Sequence, residues 1–323
     1  MSMVNWGVLG TAGIARGCTI PGMQQAEHCN LYAIAGRSME KAQAYKEEFG
    51  FEVAYDSYEA LLADPAVEAV YIPLPNQLHY EWAIKAMQAG LHVLCEKPLA
   101  PTAAQIEEMF RVAEENGVYL MEAFAYLHSP LMAAIKEDLP SLGKLLRAES
   151  AFITSDYDLS NIRMRRETYG GSVYDLGCYC TSQILWLLEE TPEAVQAMGT
   201  FTKEKIDNFA AALLTYPDGK HAMLQSGMVL ATEQDKRIDR LQLHGEKGKI
   251  VCHCRFNQSG DLTYSITTDE GRTVREVPTP DNYMLETENM SLCAMGKAKP
   301  HVTKEFSLKN AKLLEQILEK IGY

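Results

Sequence analysis

At 323 residues the chain is longer than one hydrophobic core usually serves, and with 47% hydrophobic residues it has an ordinary globular composition, so two domains are expected. Its 43 acidic against 30 basic side chains leave a formal charge of −13, which argues against nucleic-acid or anionic-membrane partners, since both require basic surface. No apolar run reaches the length of a membrane span, and Met1-Ser2-Met3-Val4 leads straight into a strand pattern without a signal peptide. The eight cysteines are scattered rather than laid out as a disulfide framework, which suits a reducing compartment, and the cytoplasm is expected.

Residues 4–9 read as a buried strand, and Gly10-Thr11-Ala12-Gly13-Ile14-Ala15 follows at once. A glycine-rich turn between strand and helix lets backbone N–H groups approach a pyrophosphate at a helix N-terminus. Ala12 stands where that fingerprint usually has its second glycine, leaving less room, which Gly13 beside it relieves. The second strand, 30–35, ends in Gly36-Arg37-Ser38 without the acid that takes a ribose hydroxyl; Arg37 there favours NADP over NAD, although NAD is possible.

The alternation continues with a helix over 39–49, a strand over 52–55, a helix over 57–63 and a strand over 69–72. That strand leaves through Pro73-Leu74-Pro75-Asn76, which puts Asn76 and His79 at the same sheet edge as Gly10, bordering the nicotinamide. A helix over 79–89, a strand ending at Glu96, a capped helix from Thr102 to Asn116 and a strand over 119–122 complete six strands. They predict a doubly wound parallel sheet over residues 1–123.

The run His92-Val93-Leu94-Cys95 stops at Glu96-Lys97-Pro98, and ligands of open parallel sheets bind just beyond such strand ends. Taken alone, the acid and the base also fit a surface ion pair. Beyond residue 123 the pattern changes to an α+β domain over 124–323 with a mostly antiparallel sheet. Strands are expected over 145–153, 210–216, 221–230, 240–244 and 250–256, with terminal helices over 284–295 and 308–321. The polar loop 155–168 carries Arg163, which either contacts substrate or is solvated. Gly170-Gly171 launches a helix through Leu188, and Asp175 and Tyr179, four apart, share one face of it. The plainer alternative is an acid placed by the helix dipole and a tyrosine packed in the core. Cys252-His253-Cys254 looks like a metal site, but alternation points both thiols to one strand face and no second ligand pair is near, so no metal is expected.

The glycine turn, Glu96-Lys97-Pro98, and Gly170-Gly171 followed by Asp175-Leu176-Gly177-Cys178-Tyr179 together resemble the Gfo/Idh/MocA oxidoreductases over essentially the whole chain. The resemblance implies a nicotinamide-dependent oxidoreductase acting on a sugar, polyol or related alcohol, a homo-oligomer (dimer or tetramer) formed through the C-terminal sheet, a catalytic lysine at Lys97, and a peptide before Pro98 that is often cis. Many members have histidine where this chain has Tyr179. Tyrosine resembles the branch of glucose–fructose oxidoreductase, NADP-dependent xylose dehydrogenases and dihydrodiol dehydrogenases, in which it acts as acid/base. On this reading Lys97 is the electrostatic partner of Tyr179, with Glu96 and Asp175 orienting them. Glu96 and Lys97 also border the cofactor, and Lys97, Arg163, Asp175 and Tyr179 meet the substrate. The reading from another class is a non-catalytic NADP-binding sensor on the same scaffold.

Overall fold

The computed structural model describes residues 3–155, 157–230 and 237–323; Met1, Ser2 and Asp156, which fall in the expected N-terminal run and polar loop, lie outside them. The chain divides into two compact units, Met1–His128 with Pro280–Ser307, and Ser129–Thr279 with Leu308–Tyr323. Among the described residues no helix is long and apolar enough to cross a membrane.

The first unit is built on six parallel strands: β1 (Val4–Leu9), β2 (Cys29–Ala35), β3 (Val53–Tyr55), β4 (Ala69–Ile72), β5 (His92–Glu96) and β6 (Leu120–Ala123). Their order is β3-β2-β1-β4-β5-β6, so the direction of winding reverses between β1 and β4, where open α/β sheets bind ligands at their carboxyl edge. Near-continuous burial of β1, β4 and β6 follows from helices covering both faces. The register sets Ile72 opposite Cys95 and Glu96 opposite Ala123, so the exits of β4, β5 and β6 lie at one edge.

The expected second domain yields one segment to this unit. Helix Asn282–Ala294 packs against the helical segment Ile20–Met23, where a Cβ on Gly22 would stand 2.7 Å from the Met284 nitrogen. Trp6, fully buried in β1, donates its indole N–H to Ser291 Oγ at 3.0 Å. Sequence order gave no sign of this return, because the apolar face of a helix does not say which sheet it covers.

The second unit holds an eight-stranded sheet: β7 (Leu145–Ser155), β8 (Ala194–Phe201), β9 (Asp207–Thr215), β10 (His221–Leu230), β11 (Arg237–Gly245), β12 (Gly248–Cys252), β13 (Gly260–Thr268) and β14 (Gly271–Thr279). The order is β14-β13-β12-β11-β7-β10-β9-β8, antiparallel throughout except for the parallel pair β7 and β10. Alternating burial along β9 and β11 shows one face covered, and helix Cys178–Leu188 meets helix Lys304–Ile321 where Thr181 Oγ1 donates to Asn310 Oδ1 at 2.6 Å. Sequence reading missed β8, β13 and β14, in each of which only one or two side chains are buried. It also missed helix Pro130–Asp138. The strand expected over 250–256 ends at Cys252.

Candidate active site

β1 stops because Gly10 takes φ +119°, a conformation that side-chained residues rarely adopt. Its N–H donates to the Ala35 carbonyl at 2.8 Å, fixing the turn to the end of β2, and a Cβ there would stand 3.0 Å from Leu74 Cδ2. The Arg16 N–H reaches the Ala12 carbonyl at 3.1 Å, so the preceding amides form the free N-terminal end of a helix. The turn forms despite Ala12, whose carbonyl also accepts the Tyr45 hydroxyl at 3.3 Å. Gly13 is exposed, and a Cβ on it would meet nothing within 4 Å, which leaves the amide-bearing face open. Thr11 and Ile14 are half-buried, whereas Ala15 is buried in packing. A dinucleotide fits: the open amides and the helix N-terminus suit its pyrophosphate.

Exposed Arg37 follows β2, and no carboxylate stands in the Gly36-Arg37-Ser38 turn. Arg37 is felt electrostatically by the Tyr58 phenol, whose oxygen lies 3.7 Å from the Cβ position of Gly10. Ser38 caps the next helix, its Oγ accepting the Lys41 N–H at 3.4 Å.

At the exit of β4, Pro73 is buried and half-buried Asn76 opens the helix Asn76–Gln88, three residues earlier than expected. His79 was expected beside the nicotinamide. It is fully buried, with Nδ1 2.9 Å from the Pro98 carbonyl and Nε2 2.7 Å from the Leu74 carbonyl, so it ties two loops together from beneath. Lys97 follows β5 at the sheet's carboxyl edge, half-buried, and its peptide to Pro98 is cis. Glu96 Oε1 accepts the Tyr71 hydroxyl at 2.6 Å, and Thr19 Oγ1 donates to Tyr71 at 2.9 Å. Burial and the Glu96 charge push the Tyr71 phenol far above its ordinary value, so Tyr71 serves as a donor that orients Glu96.

In the second unit Gly170 and Gly171 have packing reasons. A Cβ on Gly170 would stand 2.4 Å from the Arg163 carbonyl oxygen. Gly171 adopts φ +110°, and a Cβ there would overlap Asp207 Oδ1. Asp207, wholly buried, accepts the Ser172 hydroxyl and the Val173 N–H through Oδ2, each at 2.8 Å, and so caps the helical segment that begins there. Burial pushes its carboxyl up to about 6.

That segment opens with the wide turn Val173–Gly177 and continues as helix Cys178–Leu188, carrying buried Asp175 and half-buried Tyr179. Asp175 Oδ2 accepts the Arg163 Nε–H at 2.8 Å, and the Asp175 charge raises Arg163 further above its already high value. The guanidinium also stands 5.3 Å from the Tyr157 ring centroid and is felt by Tyr179. The structure thus brings Arg163, Asp175 and Tyr179 together within this unit. The Tyr179 ring packs 5.4 Å from Phe152 and 5.1 Å from Phe256, centroid to centroid.

Sequence reading passed over Tyr71, Glu122, Phe152, Asp207 and Phe256. An acid inside the apolar strand Leu120–Ala123 was a usable signal for Glu122; the others show themselves only through contacts distant in sequence. Buried Cys252 closes β12, and half-buried Cys254 donates its thiol to the Thr263 carbonyl at 3.2 Å.

Residues 4–124 match a family model described as the oxidoreductase family, NAD-binding Rossmann fold, and residues 139–251 match the GFO/IDH/MocA C-terminal domain. The chain is 37% identical over 322 residues to D-xylose 1-dehydrogenase (NADP(+)) 2 of Haloferax volcanii, covering 97% of this chain and 96% of that one. It is 33% identical over 225 residues to mouse trans-1,2-dihydrobenzene-1,2-diol dehydrogenase, covering 68% and 66%. The crystal structure of KijD10, a 3-ketoreductase from Actinomadura kijaniata, in complex with NADP and TDP-benzene superposes with a TM-score of 0.92 at 28% identity over 99% of this chain and 98% of that chain. With both domains matched in order around these two clusters of residues, the chain belongs to the Gfo/Idh/MocA oxidoreductase family.

Proposed function

We propose that Lys97 and Tyr179 carry the proton chemistry of hydride transfer between NADP and a carbinol or carbonyl carbon of a sugar, polyol or dihydrodiol. The chain is an NAD(P)-dependent oxidoreductase, and the names of its relatives, a xylose dehydrogenase, a dihydrodiol dehydrogenase and a ketoreductase, support that substrate class. The observation that carries the reading is the place of Lys97, at the carboxyl edge of the sheet whose switch point bears the Gly10 turn.

The nicotinamide, when bound, supplies or takes the hydride. Gly10 and the amides that follow it hold the pyrophosphate, and Arg37 takes the 2′-phosphate. Tyr179 receives the hydroxyl proton in oxidation and returns it in reduction. A free phenol titrates near ~10, too high for an efficient base at neutrality, and a neighbouring cation lowers that barrier by favouring the phenolate. Lys97 is assigned as that cation, with Arg163 acting from within the second unit. Asp175 and Glu96 orient the cations and border the reacting atoms. Arg163, expected to touch substrate, is assigned chiefly to Asp175.

A non-catalytic sensor finds no such support, since the relatives that match along the chain are named as dehydrogenases and reductases. The oxidoreductase reading has copies of this chain assembling through the second sheet, and the eight free thiols fit a cytoplasmic setting.

The test is fluorescence titration with NADPH and NADH, followed by reduction of NADP with aldoses, polyols and trans-dihydrodiols, for the protein and for Tyr179→Phe. Turnover lost in the variant with NADPH affinity retained supports the assignment. Ordinary turnover in the variant refutes it, and cofactor binding without turnover on any of these substrates returns the sensor.

A further inference from the structure

Two buried titratable groups that hydride transfer does not use grip the turn carrying Lys97. His79 holds the Pro98 carbonyl through Nδ1 at 2.9 Å and the Leu74 carbonyl through Nε2 at 2.7 Å. Glu122, on β6 opposite Cys95, accepts the Leu99 N–H through Oε1 at 3.0 Å. The two grips fall on the consecutive residues after Lys97. Because His79 also holds the exit loop of β4, the loops after β4 and β5 are joined at one ring.

Both grips are incompletely satisfied. A neutral imidazole has one N–H and can donate to only one of two carbonyls. Glu122 is 2% exposed, and although the Ser307 hydroxyl stands close enough to lower its carboxyl, Oε2 is buried outside normal hydrogen-bond geometry. The groups that act on its carboxyl are Lys97 and Glu96 from the end of β5 and the Ser307 hydroxyl, and its charge is felt in turn by the Cys95 thiol; Lys97 is the one cation among them.

From this geometry we infer that Glu122 and His79 are positioning residues for Lys97: together they fix the backbone from which the ammonium projects, and Glu122 places an ionisable carboxyl behind it. The inference rests on the reading of Lys97 given above. Burial pushes the Glu122 carboxyl up to about 7 against the Ser307 hydroxyl, the Leu99 N–H and, after them, Lys97, which all pull it down, while Glu96 pushes it up, so Glu122 changes charge near neutrality. Its anion supports the ammonium form of Lys97, whereas its neutral acid leaves that cation less supported. Burial lowers His79, which keeps the ring neutral and a weaker clamp than its cation would be.

Glu122→Gln keeps an acceptor for the Leu99 N–H and removes the ionisation; Glu122→Leu removes both. The experiment measures the pH profile of kcat/KM, NADPH affinity and thermal melting for the protein and both variants, with Lys97→Met in the same assay. The expected result for Glu122→Gln is unchanged NADPH affinity, a kcat/KM lower by about tenfold on the alkaline side, and loss of the ionisation near neutrality; Glu122→Leu falls further. A Glu122→Gln profile that superposes on that of the unaltered protein overturns the inference. So does an unaltered protein with no ionisation near neutrality, a result that holds even where the variants fail to fold. Undiminished turnover in Lys97→Met overturns the reading of the lysine itself, and is distinct from a Glu122→Gln variant that behaves normally while Lys97→Met is inactive.

Discussion

Arg163 Nε donates to Asp175 Oδ2 at 2.8 Å, from the short helical turn Ile162–Met164 to a buried carboxylate twelve positions later. Removing one partner of such a pair leaves the other charge buried and uncompensated. Arg163→Leu is therefore expected to lower kcat/KM by about tenfold to a hundredfold, with NADPH affinity retained. Arg163→Lys, which keeps the charge but loses the guanidinium geometry, should recover part of the loss. Steady-state kinetics beside cofactor titration checks both. An Arg163→Leu enzyme with a raised KM and full kcat would instead assign the arginine to substrate binding.

Asp207 provides a pH test of the helix start. Burial disfavours the anion and pushes its carboxyl in the folded protein up to about 6, against about 3.9 for a free aspartate. The folded state then binds more protons than the unfolded state between these values. This contribution to stability is fully present below about pH 4 and is lost as pH rises through about 6, a change on the order of 3 kcal/mol. Asp207→Asn, which cannot ionise, should flatten that part of the stability curve in denaturant titrations run across the window. A slope that persists in the variant would assign the effect to another group.

Gly171→Ala should be among the most damaging small substitutions in the chain. It forces a side-chained residue to φ +110° and drives a methyl into the Asp207 carboxylate, displacing the cap of the segment that carries Asp175 and Tyr179. A loss of about 2–3 kcal/mol is expected, read as a lower melting temperature, with activity falling even in the protein that remains folded. Gly13→Ala provides the contrast. A Cβ there meets nothing, so its folding cost should be small, and its effect should appear in NADPH affinity.

Arg37→Asp tests cofactor choice. The variant removes the cation assigned to the 2′-phosphate and installs the acid that would hold a ribose hydroxyl. NADPH affinity should drop by about tenfold or more while NADH affinity holds or improves, measured by fluorescence titration. Equal NADPH affinity in the variant would move the phosphate away from Arg37.

Much of the first unit was legible in the sequence, because its signals are local. Six apolar runs separated by helical periods, a glycine turn and a strand ending in Glu96-Lys97-Pro98 specify a doubly wound sheet and one edge of it, since chain order and handedness leave few topologies. Lys97, Tyr179, Asp175 and the cofactor turn could be named from spacing and resemblance. The second sheet was harder to read. β13 and β14 pair as a hairpin whose Leu262, Tyr264 and Ile266 alternate with threonine and serine, a strand signal that sequence reading passed over.

Only the tertiary structure decided what these residues rest on. His79 had the right spacing for a ligand-facing histidine, and burial made it a staple between the Leu74 and Pro98 carbonyls. Arg163 looked like a solvated or substrate-binding cation, and folding gave it Asp175. Asp207 anchors Ser172 and Val173, and Glu122 anchors Leu99, each from a later strand, and helix Asn282–Ala294 returns to the first unit. The physical reason is the same in each case. A backbone period records which face of an element is apolar, whereas a buried carboxylate or imidazole is defined by partners that only the folded chain brings within hydrogen-bonding distance.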